Sequence, residues 1–200
     1  DTVRRQRQMC IRDRLKDPNL HNAPSLLSSQ LEAGMSIQAI KANIKLAISG
    51  GQNEPRDAIA GTIGTLLENR SQLEMIISGT KTWLQAFEEY ARWMSPIGMS
   101  PRRIAKKFIY KNVEFYENDM IFFMFGSANR DKAIFENPDY FDISRDNGPS
   151  IAFGAGPHFC AGSWISKTLI AEVALPLFFA HFPNVYSVSY THLRAHETES

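Results

Sequence analysis

The chain has 200 residues and weighs 22.6 kDa, which suits one domain or a large part of one. Hydrophobic residues make up 44% and charged residues 22%, and 22 Lys plus Arg stand against 21 Asp plus Glu for a formal net charge of +1. This balance excludes a disordered tail, a coiled coil and a collagen-like chain, gives no basic excess for nucleic acid or an anionic membrane, and two cysteines cannot staple a small secreted scaffold.

The two ends stand apart. Residues 1–14, DTVRRQRQMCIRDR, and residues 188–200, VSYTHLRAHETES, resemble translated adapters used in transposase-based DNA sequencing. The start has no apolar stretch of the kind a signal peptide needs. The bland alternative is a natural basic arm and a polar tail. On the adapter reading, residues 15–187 are a natural segment cut at both ends from a longer gene. Cys10 then carries no biology, and Cys160 is the one natural cysteine, which points to a reducing compartment or a special thiol.

Pro24 to Gly34 reads as a short helix stopped by Gly34. Ser36 caps a second helix, in which Ile37, Ile40, Ile44 and Ile48 recur at steps of three and four to give one apolar stripe. The stripe runs into Ser49-Gly50-Gly51-Gln52-Asn53-Glu54-Pro55, where glycines and a proline predict a distortion, and resumes at Ile59, Ile63, Leu66 and Leu67. A helix over Gln72 to Ile77 is stopped by Gly79. Another covers Thr80 to Trp93, burying Trp83, Leu84, Phe87, Tyr90 and Ala91, and ends at Ser95-Pro96. Short strands are predicted over Ile104 to Ile109, Val113 to Tyr116 and Met120 to Phe125, with a turn at Glu117-Asn118-Asp119. Gly126 to Gly156 is irregular and long enough to imply a function. Ala161 to His181 reads as an apolar helix. Its most apolar run, Ile170 to Phe182, carries Glu172, Pro176 and His181 and falls short of the about 20 residues a membrane span needs.

The chemistry lies in Phe153-Gly154-Ala155-Gly156-Pro157-His158-Phe159-Cys160-Ala161-Gly162. Glycines let a backbone fold tightly against a flat ligand. A cysteine at the start of a helix meets unpaired amides and the positive end of the dipole, which favour thiolate. Such a thiolate is a nucleophile or an iron ligand, whereas the commoner fate of a lone cysteine is a small core residue.

The spacing Phe153, Gly156, His158, Cys160, Gly162 resembles the haem-binding signature F-x-x-G-x-[HR]-x-C-x-G of the cytochrome P450 family. Glu89-Tyr90-Ala91-Arg92 resembles the family's E-x-x-R, Ser127 to Asp131 its A-A-N-R-D stretch, and Asn137 to Asp142 its meander, all in family order. The resemblance covers nearly all of residues 15–187. It implies a mainly α fold with small β-sheets, the C-terminal half of the family's fold with the I, J, K and L helices, the meander and the cysteine loop. It also implies haem b (iron protoporphyrin IX) with Cys160 as axial thiolate, Phe153 and Gly154 beside the sulfur, backbone near Gly162 tuning it, and His158 and Arg103 on the propionates, with Arg102 as the alternative to Arg103. Glu89 and Arg92 become a buried structural pair. Tyr140 takes the place aligned to the family's third partner, an arginine, and Arg145 is the nearest substitute.

The oxygen-activating groove departs from the pattern. The family's A-G-x-[DE]-T falls on Gly50 to Glu54, with Asn53 at the acid and Glu54 at the alcohol, so no hydroxyl is left. A slip of one residue puts Glu54 at the acid. Glu54 is either a direct acid–base group or a solvated charge at a kink. The resemblance implies a bacterial monooxygenase acting with O2 on a small apolar organic substrate, fed by a ferredoxin or similar donor. The expected molecule is a cytoplasmic monomer that binds neither nucleic acid nor membrane, with Ile97 to Met99 facing the pocket. The alternatives are peroxygenase or rearrangement chemistry on the same haem, a haem-binding or structural protein without turnover, and a cysteine hydrolase using Cys160 and His158.

Overall fold

The computed structural model describes residues 24–187, so the readings of Cys10 and of both adapter-like ends lie outside the described residues. The chain divides into two compact units, Asp1–Asn53 and Glu54–Ser200.

In the first unit, α1 is Leu26–Glu32 and α2 is Ile37–Gly50. Ser25 and Ser28 cap α1 reciprocally, each hydroxyl accepting from the other's backbone N–H at 3.0 and 2.9 Å. Ser36 Oγ accepts Ala39 N–H at 3.2 Å to open α2. Leu27 and Ile40 are buried together with Leu31 and Ile44 against them, and Asn43 donates to Gln30 Oε1 at 2.8 Å. Ile37 is exposed, so the apolar stripe starts one step later than its spacing predicts. At Gly51 any side chain would place Cβ 2.4 Å from the Ala47 carbonyl oxygen. That contact makes glycine obligatory where α2 gives way to a turn.

α3 spans Asn53–Glu68, α4 Arg70–Ile77 and α5 Trp83–Met94. α5 begins three residues later than predicted because Thr82, not a residue before Thr80, makes the cap. Its hydroxyl accepts Gln85 N–H, and Gln85 Oε1 accepts Thr82 N–H. Leu84 is exposed, against the prediction, since the buried face runs through Ala86, Phe87, Tyr90 and Ala91. Ser95 ends the helix in the left-handed region, φ 45°.

Two small antiparallel sheets follow. β1 (Ser100–Arg103) pairs with β4 (Met120–Phe123), and β2 (Phe108–Tyr110) with β3 (Val113–Phe115). Of the single strand predicted over Ile104 to Ile109, only Phe108 and Ile109 lie in a strand, β2, and β1 lies wholly before the predicted segment. Pro101 and two arginines disguise β1, an edge strand whose proline faces Phe122 without having to donate. Lys111 and Asn112 both take positive φ, 48° and 65°, as a two-residue hairpin turn requires. The irregular stretch opens with the short α6 (Phe125–Ala128) and closes where a 3-10 turn, Gly156–His158, begins.

The last helix, α7, runs Ser163–His181 and contains a π-helical segment, Thr168–Ala174. At 19 residues and mean hydropathy 1.3 it is long and apolar enough to cross a membrane by composition, which corrects the shorter run read from the sequence. Ile170, Leu175 and Phe179 are instead buried with Leu73, Phe87 and Ile143 in the core of the second unit.

Candidate functional site

The base of the site is a buried charge cluster on α5. Glu89 and Arg92 are fully buried. Arg92 Nε and Nη2 donate to the two Glu89 oxygens at 2.8 and 2.7 Å, a two-pronged geometry that a carboxylate matches. Its Nη1 also donates to the carbonyls of Asn129 (2.8 Å) and Pro138 (3.0 Å), and Nη2 to that of Tyr140 (3.3 Å). Glu89 accepts Asp142 N–H at 2.9 Å and Arg145 Nε at 3.3 Å. The third partner is therefore Arg145, and Tyr140 contributes only its backbone. With its amide oriented to satisfy both neighbours, Asn147 donates to Glu89 Oε2 at 3.0 Å and accepts Glu89 N–H at 3.3 Å.

Asn129 carries this order forward. It is wholly buried. Its amide donates to Ser95 Oγ at 2.9 Å and its carbonyl accepts Ile151 N–H at 2.9 Å. The Ser127 to Asp131 stretch marked its position, but nothing in the sequence showed that it joins the end of α5 to the loop before the cysteine. Sequence reasoning also missed Asn147.

The cysteine loop begins there. Gly154 N–H bonds to the Ile151 carbonyl at 2.9 Å and Cys160 N–H to the Phe153 carbonyl at 2.8 Å. Gly154 and Gly156 take positive φ, 74° and 61°. A Cβ on Gly154 would lie 3.2 Å from the His158 carbonyl oxygen, while one on Gly156 would meet nothing within 4 Å. A Cβ on Gly162 would stand 3.7 Å from Cys160 Sγ. The loop therefore closes on itself at Gly154 and leaves the cysteine open, with Cys160 exposed as a free thiol. α7 starts at Ser163, two residues after the predicted Ala161, and Ser163 N–H bonds to the Cys160 carbonyl at 3.2 Å. Phe153 is half-buried, its ring edge-on to Phe87 with centroids 6.2 Å apart.

His158 and Arg103 are both exposed, and their side chains make no hydrogen bond or ion pair among the described residues. Arg102 is engaged by Ser100 Oγ at 2.7 Å and the Phe123 ring at 5.8 Å. The two arginines alternate across β1, so Arg103 is the one left for an anion. His158 has no orienting partner and no bond to Cys160, so the loop lacks the second and third members of a hydrolytic site. Asn53 and Glu54 open α3. Asn53 is exposed, whereas Glu54 is half-buried and its Oε2 is buried without a hydrogen-bond partner. No hydrogen bond brings Glu54 to the cysteine loop.

Residues 83–199 match the family model for cytochrome P450. The chain is 31% identical over 177 residues to a cytochrome P450 of Bacillus subtilis, covering 88% of this chain and 43% of that protein. It is 32% identical to a steroid C26-monooxygenase of Mycolicibacterium smegmatis, covering 71% of this chain and 36% of that one. Among solved structures, epothilone D-bound cytochrome P450epoK superposes with a TM-score of 0.82 at 27% identity over 92% of this chain and 46% of that one. The chain thus spans less than half the length of the curated relatives it matches.

Proposed function

Because the chain belongs to the cytochrome P450 family, we propose that residues 15–187 are the C-terminal half of a bacterial haem-thiolate monooxygenase. The protein inserts one atom of O2 into an apolar organic substrate and reduces the other to water. The observation that carries this reading is Cys160, an exposed free thiol held by its own N–H on the Phe153 carbonyl and flanked by glycines that keep the space around it open.

These residues fit haem b. Cys160 would hold the iron through its sulfur, with Phe153 and Gly154 shaping the loop beside it and Gly162 bringing backbone close to Sγ without a side chain. The exposed side chains of His158 and Arg103, both without a partner among the described residues, suit the propionates as hydrogen-bond donors. Haem, when bound, supplies one-electron redox chemistry and oxygen activation that side chains lack, and thiolate ligation favours O–O cleavage. The protein positions the sulfur through the bond from Cys160 N–H to the Phe153 carbonyl. Glu54 Oε2 is buried and without a partner, so it is open to a water or to a proton in transit. Asn53 beside it supplies a neutral amide where most relatives carry an acid.

Electrons come from a ferredoxin-type partner, a reading supported by the redox partner that family membership implies. The exposed apolar side chains of Ile97 and Met99 and the steroid- and epothilone-handling relatives support an apolar substrate.

The test is the reduced carbon monoxide difference spectrum of the complete gene product, expressed with haem. A thiolate-type Soret band is expected, and Cys160→Ala should remove it. Folded protein without the band overturns the reading. A second reading, peroxide-driven oxygenation or rearrangement, is favoured by the missing hydroxyl between Gly50 and Pro55. Faster turnover with peroxide than with O2 plus reductant selects it.

A further inference from the structure

Beyond the residues assigned so far, α5 and α7 are joined by one ion pair at the edge of the cysteine loop. Lys167 Nζ lies 2.6 Å from Glu88 Oε1, with both side chains 32% exposed. The same ammonium stands 6.0 Å from the centroid of the Phe153 ring, within the range over which a cation is attracted to an aromatic face. That ring is also packed edge-on with Phe87. Phe153 is the residue whose carbonyl accepts Cys160 N–H.

We propose that Lys167, held by Glu88, is a positioning residue for Cys160, acting through the ring of Phe153. Its consequence for an axial ligand rests on the haem-thiolate reading, although the contacts themselves do not. Glu88 and Glu89 are consecutive on α5 and divide the work. Glu89 fixes the segment from Tyr140 to Asn147 through Arg92 and Arg145. Glu88 fixes Lys167, and with it the ring at the start of the cysteine loop. α5 thereby grips both ends of the segment that carries the sulfur. A cation next to the ring also contributes to the field at the metal ligand, where fixed charge tunes the electronics of a bound group.

Amide hydrogen exchange of the 200-residue chain, resolved at the peptide containing Cys160, tests the mechanical part. Lys167→Met and Glu88→Gln should each speed exchange there several-fold. Lys167→Arg, which keeps the cation and the pair, should leave it near the parent rate. Exchange in α4 should not change. In the haem-loaded complete protein the reduction potential should fall in Lys167→Met, which removes a positive charge, and rise in Glu88→Gln, which removes a negative one. A residue with a merely structural role would move both potentials the same way. Unchanged exchange at Cys160 in both variants overturns the proposal, as does faster exchange in α4 or a shift of both potentials in one direction. Loss of the thiolate band in the unsubstituted protein overturns the haem-thiolate reading instead and leaves the exchange result standing.

Discussion

Replacing Arg92 with alanine removes the centre of the buried cluster on α5. The side chain is fully buried and makes five hydrogen bonds, two to Glu89 and three to the carbonyls of Asn129, Pro138 and Tyr140. Once it is gone, Glu89 stays buried with Asp142 N–H, the Asn147 amide and a 3.3 Å contact to Arg145, and the Asn129 and Pro138 carbonyls lose a charged donor. Breaking a buried pair from one side costs about 3–5 kcal/mol, against a total of about 5–15 kcal/mol for a typical domain. Arg145→Ala is the comparison. Its side chain is 10% exposed and its contact to Glu89 longer, so about 1–2 kcal/mol is expected. Equilibrium urea unfolding of the chain, followed by tryptophan fluorescence and circular dichroism, measures both. The midpoint should fall much further for Arg92→Ala, or the second unit should be unfolded outright. Arg92→Lys should recover less than half, because one ammonium cannot replace the fork. A loss below about 1 kcal/mol for Arg92→Ala, or a larger loss for Arg145→Ala, would refute the view that this pair is desolvated and structural.

Gly61→Ala should lower the urea midpoint, because the new Cβ would sit 1.8 Å from Tyr90 Oη and 2.3 Å from Cζ. The overpacking cost of about 1–3 kcal/mol exceeds the helix gain of about 1 kcal/mol, and a raised midpoint would show that the ring yields freely. Burial, and secondarily the charge of Asp57, push the Tyr90 hydroxyl above its ordinary value of 10.0. A folded pKa above the unfolded one contributes stability that is present below about pH 10 and lost as pH rises through the folded value. Unfolding midpoints measured between about pH 9 and 11 should therefore fall less steeply in Tyr90→Phe than in the parent. Equal slopes would remove Tyr90 as the cause. Glu54→Gln should slow O2-driven turnover of the complete enzyme while haem content, read from the absorption spectrum, stays the same. Unchanged turnover would make Glu54 a residue of the helix start alone.

The cysteine loop was legible in the sequence because Gly154 and Gly156 meet a local backbone need, positive φ, and because the spacing of Phe153, Gly156, His158, Cys160 and Gly162 resembles the family signature. Arg145 was legible only by elimination, as the nearest cation in a meander whose aligned position holds Tyr140. Asn129 was not, because its partners Ser95 and Ile151 lie far away in sequence and an asparagine in a loop looks like any turn residue. β1 was hidden for a different reason. Its proline and arginines read as a linker, and only pairing with Met120–Phe123 makes a strand of it. At Gly50 to Pro55 the distortion was visible, and Gly51 explains it, but how Asn53 and Glu54 align with the family's groove is a matter of register that composition does not carry.

The π-helical stretch of α7 has a consequence for how the gene can change. Ile170 and Leu175 are both wholly buried yet five positions apart, and Phe179 follows four later. A regular helix brings residues three or four apart to one face, so the wide turn absorbs one surplus residue between Ile170 and Leu175. Glu172 and Val173 lie on its exposed side. Deleting either one would leave Leu175 four positions from Ile170, on the same side of an ordinary helix. Here, length and spatial phase are uncoupled, and a single-codon loss that would rotate the core out of place elsewhere in α7 is absorbed.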